Sequence, residues 1–384
     1  MATIYILALD ATRQGGAGVY TWTLIEALAS RGHQITLICH EAADELKQLV
    51  KVIQLPRVNA QRRFGMWRFS SILQLFDYKK MLKKLVLESP DIVIASAQPM
   101  ALPYANLFPS HPIVYLPHSL VAPVELASYP YENSIQRLSS IFAFRFMEKH
   151  CLKFAKYTVR FTKSAAIAFE NYYGASNCKN IITIPMPIKI PLATCKKSAP
   201  DPFRLLTIGR LIPSKNFEFL LKILSLLTSY EWKLDIVGAG GEAKSLMEQC
   251  KVNGLEGRVT FHGHVEDVAS FYQNADLFVF PSKLENSPVV LLEAMSHALP
   301  TLSFYPDNKK YLGANHEIIC DGKTGLLAVD DIQFSDLLEK ILQGTLDISD
   351  MGEAALLYVI EKHQWANHID NFEQIIFQVK NEKH

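Results

Sequence analysis

Two carboxylates, two cations and two glycine-bearing turns are the residues of this chain whose types and spacing could do chemistry. Glu285 and Glu293 lie in PSKLENSPVVLLEAM, the first in a loop after an apolar run and the second about one turn inside a helical pattern. A carboxylate among VVLL and AM is costly to bury without partners, and sugar hydroxyls would supply them. The helix start near Pro288 presents free N–H groups and a partial positive charge, which suits a phosphate. Arg210 and Lys215 bracket a bend after another apolar run. A planar fork and a point charge so placed could clamp a diphosphate, although taken alone they read better as two solvated surface charges.

The glycine turns are weaker signals. Gln14-Gly15-Gly16-Ala17-Gly18 and Gly238-Ala239-Gly240-Gly241 each follow an apolar run and open a helical pattern. Such turns let a backbone approach a ligand, but they serve equally well as plain strand-to-helix connections. His118 in YLPHSL also follows an apolar run, and a structural histidine and a histidine at a reacting centre weigh about evenly there.

Parallel α/β architecture is what puts such loops at one edge. Short apolar runs at 3–9, 34–39, 91–96 and 112–117, then 203–209, 233–238, 258–263 and 277–281, alternate with helical patterns at 19–30, 217–227, 242–253, 265–275 and 289–298. With 384 residues, 49 % apolar and 20 % charged, the chain reads as two α/β domains. Five prolines in 185–202 mark the connection, giving a first domain over 1–190, a second over 191–363 and a C-terminal helix over 364–384. Charge does not say on which domain that helix packs, and a return to the first domain is one option. The six cysteines form no C-x-x-C pair or metal-ligand spacing and read as small buried hydrophobes of a reducing compartment. No apolar run reaches the length of a bilayer span, and MATIYILALD reads as a strand, not a signal peptide.

Arg210 with Lys215, the Gly240 loop, PS, and Glu285 followed by Glu293 together resemble the retaining glycosyltransferases of family 4. GGAGVYTWTLIEALASRGHQITLI is similar to that family's amino terminus, and GLEGRVTFHGHVEDVASFYQNADLFVFPS to its carboxyl-domain core. The resemblance implies the GT-B architecture, two Rossmann-like domains with parallel sheets facing across a cleft. It implies a nucleotide-sugar donor on the second domain and an acceptor on the first. Arg210 and Lys215 would bind the diphosphate and neutralise the leaving group, and Glu293 would accept from ribose hydroxyls. Glu285 would stand beside the transferred sugar, with His118 near the reacting carbon. Asn286, Ser287, Pro288 and Val289, at the helix start, and His264 would complete the donor site, with Gly15 and Gly16 closing on it from the first domain. No D-x-D tripeptide occurs, so no metal or other cofactor is expected. ENSP and Ala298 depart from the usual E-G-F and glycine, which bears on the shape of the sugar pocket more than on the fold.

The function implied is retaining, metal-independent transfer of a hexose or N-acetylhexosamine, from a UDP-sugar by preference, to a glycan or lipid-linked acceptor in surface polysaccharide or glycolipid synthesis. A nucleotide-sugar epimerase and a catalytically silent sugar-nucleotide-binding protein are the alternatives. Charge adds a partner. Residues 1–200 carry 23 Lys/Arg against 12 Asp/Glu, and residues 201–384 carry 16 against 26. Much of the excess falls in 57–84, where Arg62, Arg63, Trp67, Arg68, Phe76, Tyr78, Lys79, Lys80, Lys83 and Lys84 mix cations with aromatics. That strip suits an anionic membrane surface, placing a cytoplasmic protein at the inner face of the membrane; a solvated basic face over an ordinary core stripe is the plainer reading. Nucleic acid is not expected, since no nucleic-acid motif is present.

Overall fold

The computed structural model describes residues 1–12, 16–57, 70–85, 88–118, 134–178, 180–191, 202–307 and 310–382. Gly15, Arg62, Arg63, Trp67 and Arg68 lie outside them, as does most of the proline-rich connection. The chain forms two compact units, Met1–Pro185 with Trp365–His384, and Met186–Gln364. The first unit thus ends at Pro185, short of 190, and takes back the C-terminal helix.

The first unit is a seven-stranded parallel sheet. Its strands are β1 (Thr3–Leu7), β2 (Gln34–Cys39), β3 (Lys51–Gln54), β4 (Ile92–Ala95), β5 (Ile113–Tyr115), β6 (Ala155–Arg160) and β7 (Ile181–Thr183), in the order β3-β2-β1-β4-β5-β6-β7. TIYIL and IVIA are nearly continuous apolar runs because helices cover both faces of a parallel sheet. The principal helices are α1 (Gly16–Ser30), α2 (Ser70–Leu82), α3 (Gln98–Leu107), α4 (Ser134–Phe154) and α5 (Lys163–Tyr173). The basic stretch after β2, which has little pattern in sequence, contains β3 and α2. Within α2, Tyr78 and Leu82 are core residues and Tyr78 bonds His40 Nε2 at 2.6 Å, so Tyr78 does not belong to an exposed strip.

The second unit has six parallel strands: β8 (Phe203–Ile208), β9 (Trp232–Val237), β10 (Val259–Gly263), β11 (Leu277–Phe280), β12 (Thr301–Phe304) and β13 (Leu326–Ala328), ordered β10-β9-β8-β11-β12-β13. Its helices are α6 (Phe217–Leu226), α7 (Ala243–Val252), α8 (Ala269–Asn274), α9 (Val289–Ser296), α10 (Asp331–Leu342) and α11 (Met351–Lys362). In α6 the buried positions 217, 220, 221 and 224 repeat at helical spacing over a core that includes Trp232, Leu234 and Leu277. Both sheets reverse direction next to their first strand, at β1/β4 and β8/β11. In open α/β sheets ligands bind at such reversals of strand order, beyond the carboxyl ends of the strands.

The last helix, α12 (Trp365–Asn381), buries Ile369, Phe372, Ile375, Ile376 and Val379 in the first unit. His368 Nδ1 donates to Pro185 O at 2.8 Å, which fixes the tautomer so that its Nε2 accepts from Tyr20 at 2.7 Å. Arg31 pairs with Asp370 and Glu373 across α1 and α12. Cysteines 39, 151, 178 and 250 are buried as expected of small hydrophobes, but Cys320 is exposed. Among the described residues no helix is long and apolar enough to cross a membrane.

Candidate functional site

The β8/β11 switch point brings the predicted cations and the first carboxylate together. After β8 the chain passes Gly209 and exposed Arg210, then makes a single 3-10 turn at Pro213–Lys215. Asn216 ends that turn in the left-handed conformation, φ 60°, which asparagine tolerates better than most residues. Its buried amide donates to Pro281 O at 3.1 Å, tying this loop to the end of β11. Ser214 O completes the seam by accepting Lys283 N at 2.8 Å and Ser282 Oγ at 3.2 Å. So held, Lys215 Nζ donates to Glu285 Oε1 and lies 5.3 Å from the centre of the Phe280 ring. Both side chains of the pair are largely removed from water, at 15 % and 10 % exposure.

Glu285 is positioned from the segment that follows β12. Glu285 N donates to Leu312 O at 2.9 Å and Leu312 N to Lys283 O at 2.8 Å, a short parallel bridge. Gly313 has φ 151°, and a Cβ there would stand 2.6 Å from Glu285 O. Only glycine fits so close to the carboxylate-bearing backbone. The polar segment 305–314 thus ends in the strap that fixes Glu285.

Glu293 sits in α9 as expected, but in separate company. Tyr272 of α8 donates to its Oε2 at 2.8 Å. Burial raises the Glu293 carboxyl above the usual glutamate range, opposed by the Tyr272 hydrogen bond and by His297. His297 stacks on Tyr272 with ring centres 5.0 Å apart and donates from Nδ1 to Glu293 O at 2.9 Å. Pro288 is the N-cap of α9 and Val289 its first residue. Asn286 and Ser287 lie partly buried just before it, and Ser287 Oγ has no hydrogen-bond partner among the described residues. This helix start and the Lys215–Glu285 pair flank one loop, 281–288.

Gly240 lies against the backbone of the loop after β8. A Cβ there would fall 2.3 Å from Leu211 O, and one on Gly238 1.9 Å from Gly209 O. Leu211 N donates to Ala239 O and Glu242 N to Leu211 O, both at 3.0 Å. These glycines therefore let the loops after β8 and β9 lie against each other, while Gly241 faces open space. His264 is exposed beyond the end of β10.

In the first unit Gly16 is the first residue of α1, with open space at its Cα. His118 lies past the carboxyl end of β5, half-buried, its ring 5.3 Å from Tyr20 and 6.0 Å from Phe161. Burial, with the charge of Arg160, lowers its pKa to about 4, so the ring is neutral near pH 7. Arg160 is fully buried, donates from Nη1 to Pro117 O at 3.1 Å and packs 4.1 Å from the Phe169 ring. Buried Glu148 nearby accepts from Tyr173 at 2.5 Å and Tyr115 at 3.2 Å. Arg160 was not expected at this site; its one sequence signal is a lone arginine closing the strand AKYTVR.

Residues 14–190 match the model described as Glycosyltransferase Family 4, and residues 202–344 the model described as Glycosyl transferases group 1. An amylovoran biosynthesis glycosyltransferase of Erwinia amylovora is 36 % identical over 101 residues, 26 % of this chain and 29 % of that one. The first curated relatives are matched over 29 to 38 % of their own length. The fold is similar to sucrose-phosphate synthase of Thermosynechococcus elongatus, with TM-score 0.78, 18 % identity and 99 % of each chain covered. It is also similar to Anabaena Alr3699/HepE in complex with UDP and glucose, with TM-score 0.74 and 16 % identity over 98 % of this chain and 100 % of that one. Both family matches and the two parallel sheets agree: the chain belongs to the group 1, family 4 glycosyltransferases of GT-B fold.

Proposed function

We propose that this protein moves a hexose or N-acetylhexosamine, with retention and without a metal, from a UDP-sugar to a glycan or lipid-linked acceptor in surface polysaccharide or lipopolysaccharide-type synthesis. The observation that carries the reading is the water-shielded Lys215–Glu285 pair at the β8/β11 switch point, beside the start of α9. Lys215 and Arg210 bind the diphosphate and the N–H groups of the helix start add partial positive charge, so the leaving group is neutralised without a divalent ion. Glu285, held by Leu312 and Gly313, steadies the oxocarbenium-like sugar or one of its hydroxyls. Glu293, oriented by Tyr272, accepts from the ribose. His118, as a neutral ring, hydrogen-bonds the sugar near the reacting carbon. The departing phosphate takes the acceptor proton on the face it leaves, which accounts for retention without a protein base.

The similar fold of a protein solved with UDP and glucose supports uridine as the base, and the amylovoran biosynthesis relative supports a polysaccharide acceptor. A membrane-side, cytoplasmic location belongs to the same reading, with Lys79, Lys80, Lys83 and Lys84 the described cations of the 57–84 strip besides Arg57, which pairs with Asp10 and Glu41. The test is thermal shift of the pure protein in EDTA against UDP, GDP, ADP and their sugar conjugates, then transfer of labelled sugar to membrane extracts. A shift with UDP or its conjugates, lost in Glu293→Ala, supports the donor class. Activity abolished by EDTA and restored by Mn²⁺ overturns the metal-independent step.

A further inference from the structure

We infer that the exposed face of α4, continued by α2, docks the first unit on an anionic lipid bilayer. Leu138, Phe142 and Phe146 recur every fourth residue along α4 and are 66 %, 68 % and 42 % exposed. Large apolar side chains so aligned are unusual on a helix whose other side, at Ala143, Met147 and Cys151, is core. Arg145, Lys149 and Lys153 are exposed and, at 3.6 residues per turn, fall with them within an arc of about 100°. The Arg145 guanidinium lies over the Tyr172 ring, 5.3 Å from its centre, and Lys149 and Lys153 form no ion pair among the described residues. The α4 carboxylate, Glu148, is fully buried on the opposite side.

Helix α2 packs beside α4 in the same core and repeats the chemistry: Phe76 is 66 % exposed, with exposed Lys79, Lys80 and Lys83 around it. Apolar tips that enter acyl chains, ringed by long cations that reach phosphate, fit an anionic membrane interface. A second copy packed face to face, α4 on α4, would set like charges against each other, and a nucleic-acid backbone offers nothing for three large apolar groups. The inference deepens the reading of a lipid-linked acceptor and rests on it for purpose, but its evidence is independent of transfer.

The full chain is floated with vesicles of equimolar phosphatidylglycerol and phosphatidylcholine, and with phosphatidylcholine alone. Binding to the anionic vesicles only is expected. Phe142→Ser with Phe146→Ser should lower partitioning at least about tenfold. Lys149→Gln with Lys153→Gln should lower it on the order of tenfold at low salt and less at high salt. All four positions are exposed, so the melting temperature and the UDP thermal shift should stay at wild-type values. Wild-type protein that does not float, or a serine pair that floats as well as wild type, overturns the inference. So does a lipid-free dimer that the serine pair dissolves. Vesicle binding without any nucleotide shift leaves the docking face standing and removes the transferase reading; the converse result does the reverse.

Discussion

Glu285→Gln should tighten UDP while abolishing sugar transfer. A diphosphate bound by Lys215 must share that cation with the Glu285 carboxylate, and both side chains are mostly out of water. Two like charges about 5 Å apart at an effective dielectric of about 20 repel by roughly 3 kcal/mol. With Arg210 and the α9 N–H groups offsetting about half of this, removing the carboxylate should gain about 1–2 kcal/mol, roughly 5- to 30-fold in affinity. The amide keeps an acceptor for Lys215, and Leu312 and Gly313 still hold the backbone, so the unit stays folded with stability lower by about 1–3 kcal/mol. Isothermal titration with UDP in EDTA, beside product formation from labelled donor, reads both effects. Weaker UDP binding by a folded Glu285→Gln protein refutes the shared-cation argument, and turnover at the wild-type rate refutes the role given to the carboxylate.

Gly240→Ala should destabilise by about 1–3 kcal/mol and weaken donor binding, because its Cβ would meet Leu211 O, whereas Gly241→Ala should be near neutral; equal melting curves for the two would contradict this use of the glycines. Ala298 follows the His297 cap of α9 with φ 56°, so Ala298→Gly should stabilise by about 0.5–1 kcal/mol, raising the melting temperature by roughly 1–3 °C, and an unchanged or lower value counts against the strain. Because burial raises the folded-state pKa of Glu293, this group's contribution to stability is present in acid and lost as pH rises through that pKa. UDP binding should move the opposite way, weakening on acidification at a pH above the ordinary glutamate range, and titrations of UDP across that range in wild type and Glu293→Gln decide it. With the His118 pKa near 4, the kcat/KM profile should carry no limb from this ring between about pH 6 and 8; a limb near 6.5 that His118→Asn removes would overturn its assignment as a neutral donor or acceptor.

What was legible in sequence follows from local order. QITLIC and LFVF are continuous apolar runs because they are central strands covered on both faces, and their loops necessarily end at one sheet edge. Hence Arg210, Lys215, Glu285 and Glu293 were placed correctly on loops and helix from pattern alone. The strands KVIQ and IIT, only half-buried at a sheet edge, gave little signal. Residues that aim the site were invisible for another reason: their partners are distant in the chain. Asn216 reaches 65 residues to Pro281, and Tyr272 reaches 21 to Glu293. Gly313 matters only because the backbone of Glu285 lies beside it, and Arg160 because β6 ends beneath Pro117.

Charge is arranged against the chain's own averages. The half proposed to bind a diphosphate carries 26 acids against 16 bases, so its net field repels that ligand. Attraction has to come from short range, where the Lys215 side chain is largely removed from water and helix N–H groups are fixed in direction. A field built this way is strong within a few ångströms and lost beyond a Debye length of about 8 Å in physiological salt. Donor capture should therefore depend little on ionic strength, since the distant acids are screened while the close cation is not. In the basic half the exposed cations of α2 and α4 are solvated and spread over a surface, so any attraction they exert falls as salt rises. The two functions argued for this chain, donor binding and surface docking, are thus separable by one variable: raising salt should release the protein from anionic vesicles while leaving its affinity for UDP nearly unchanged.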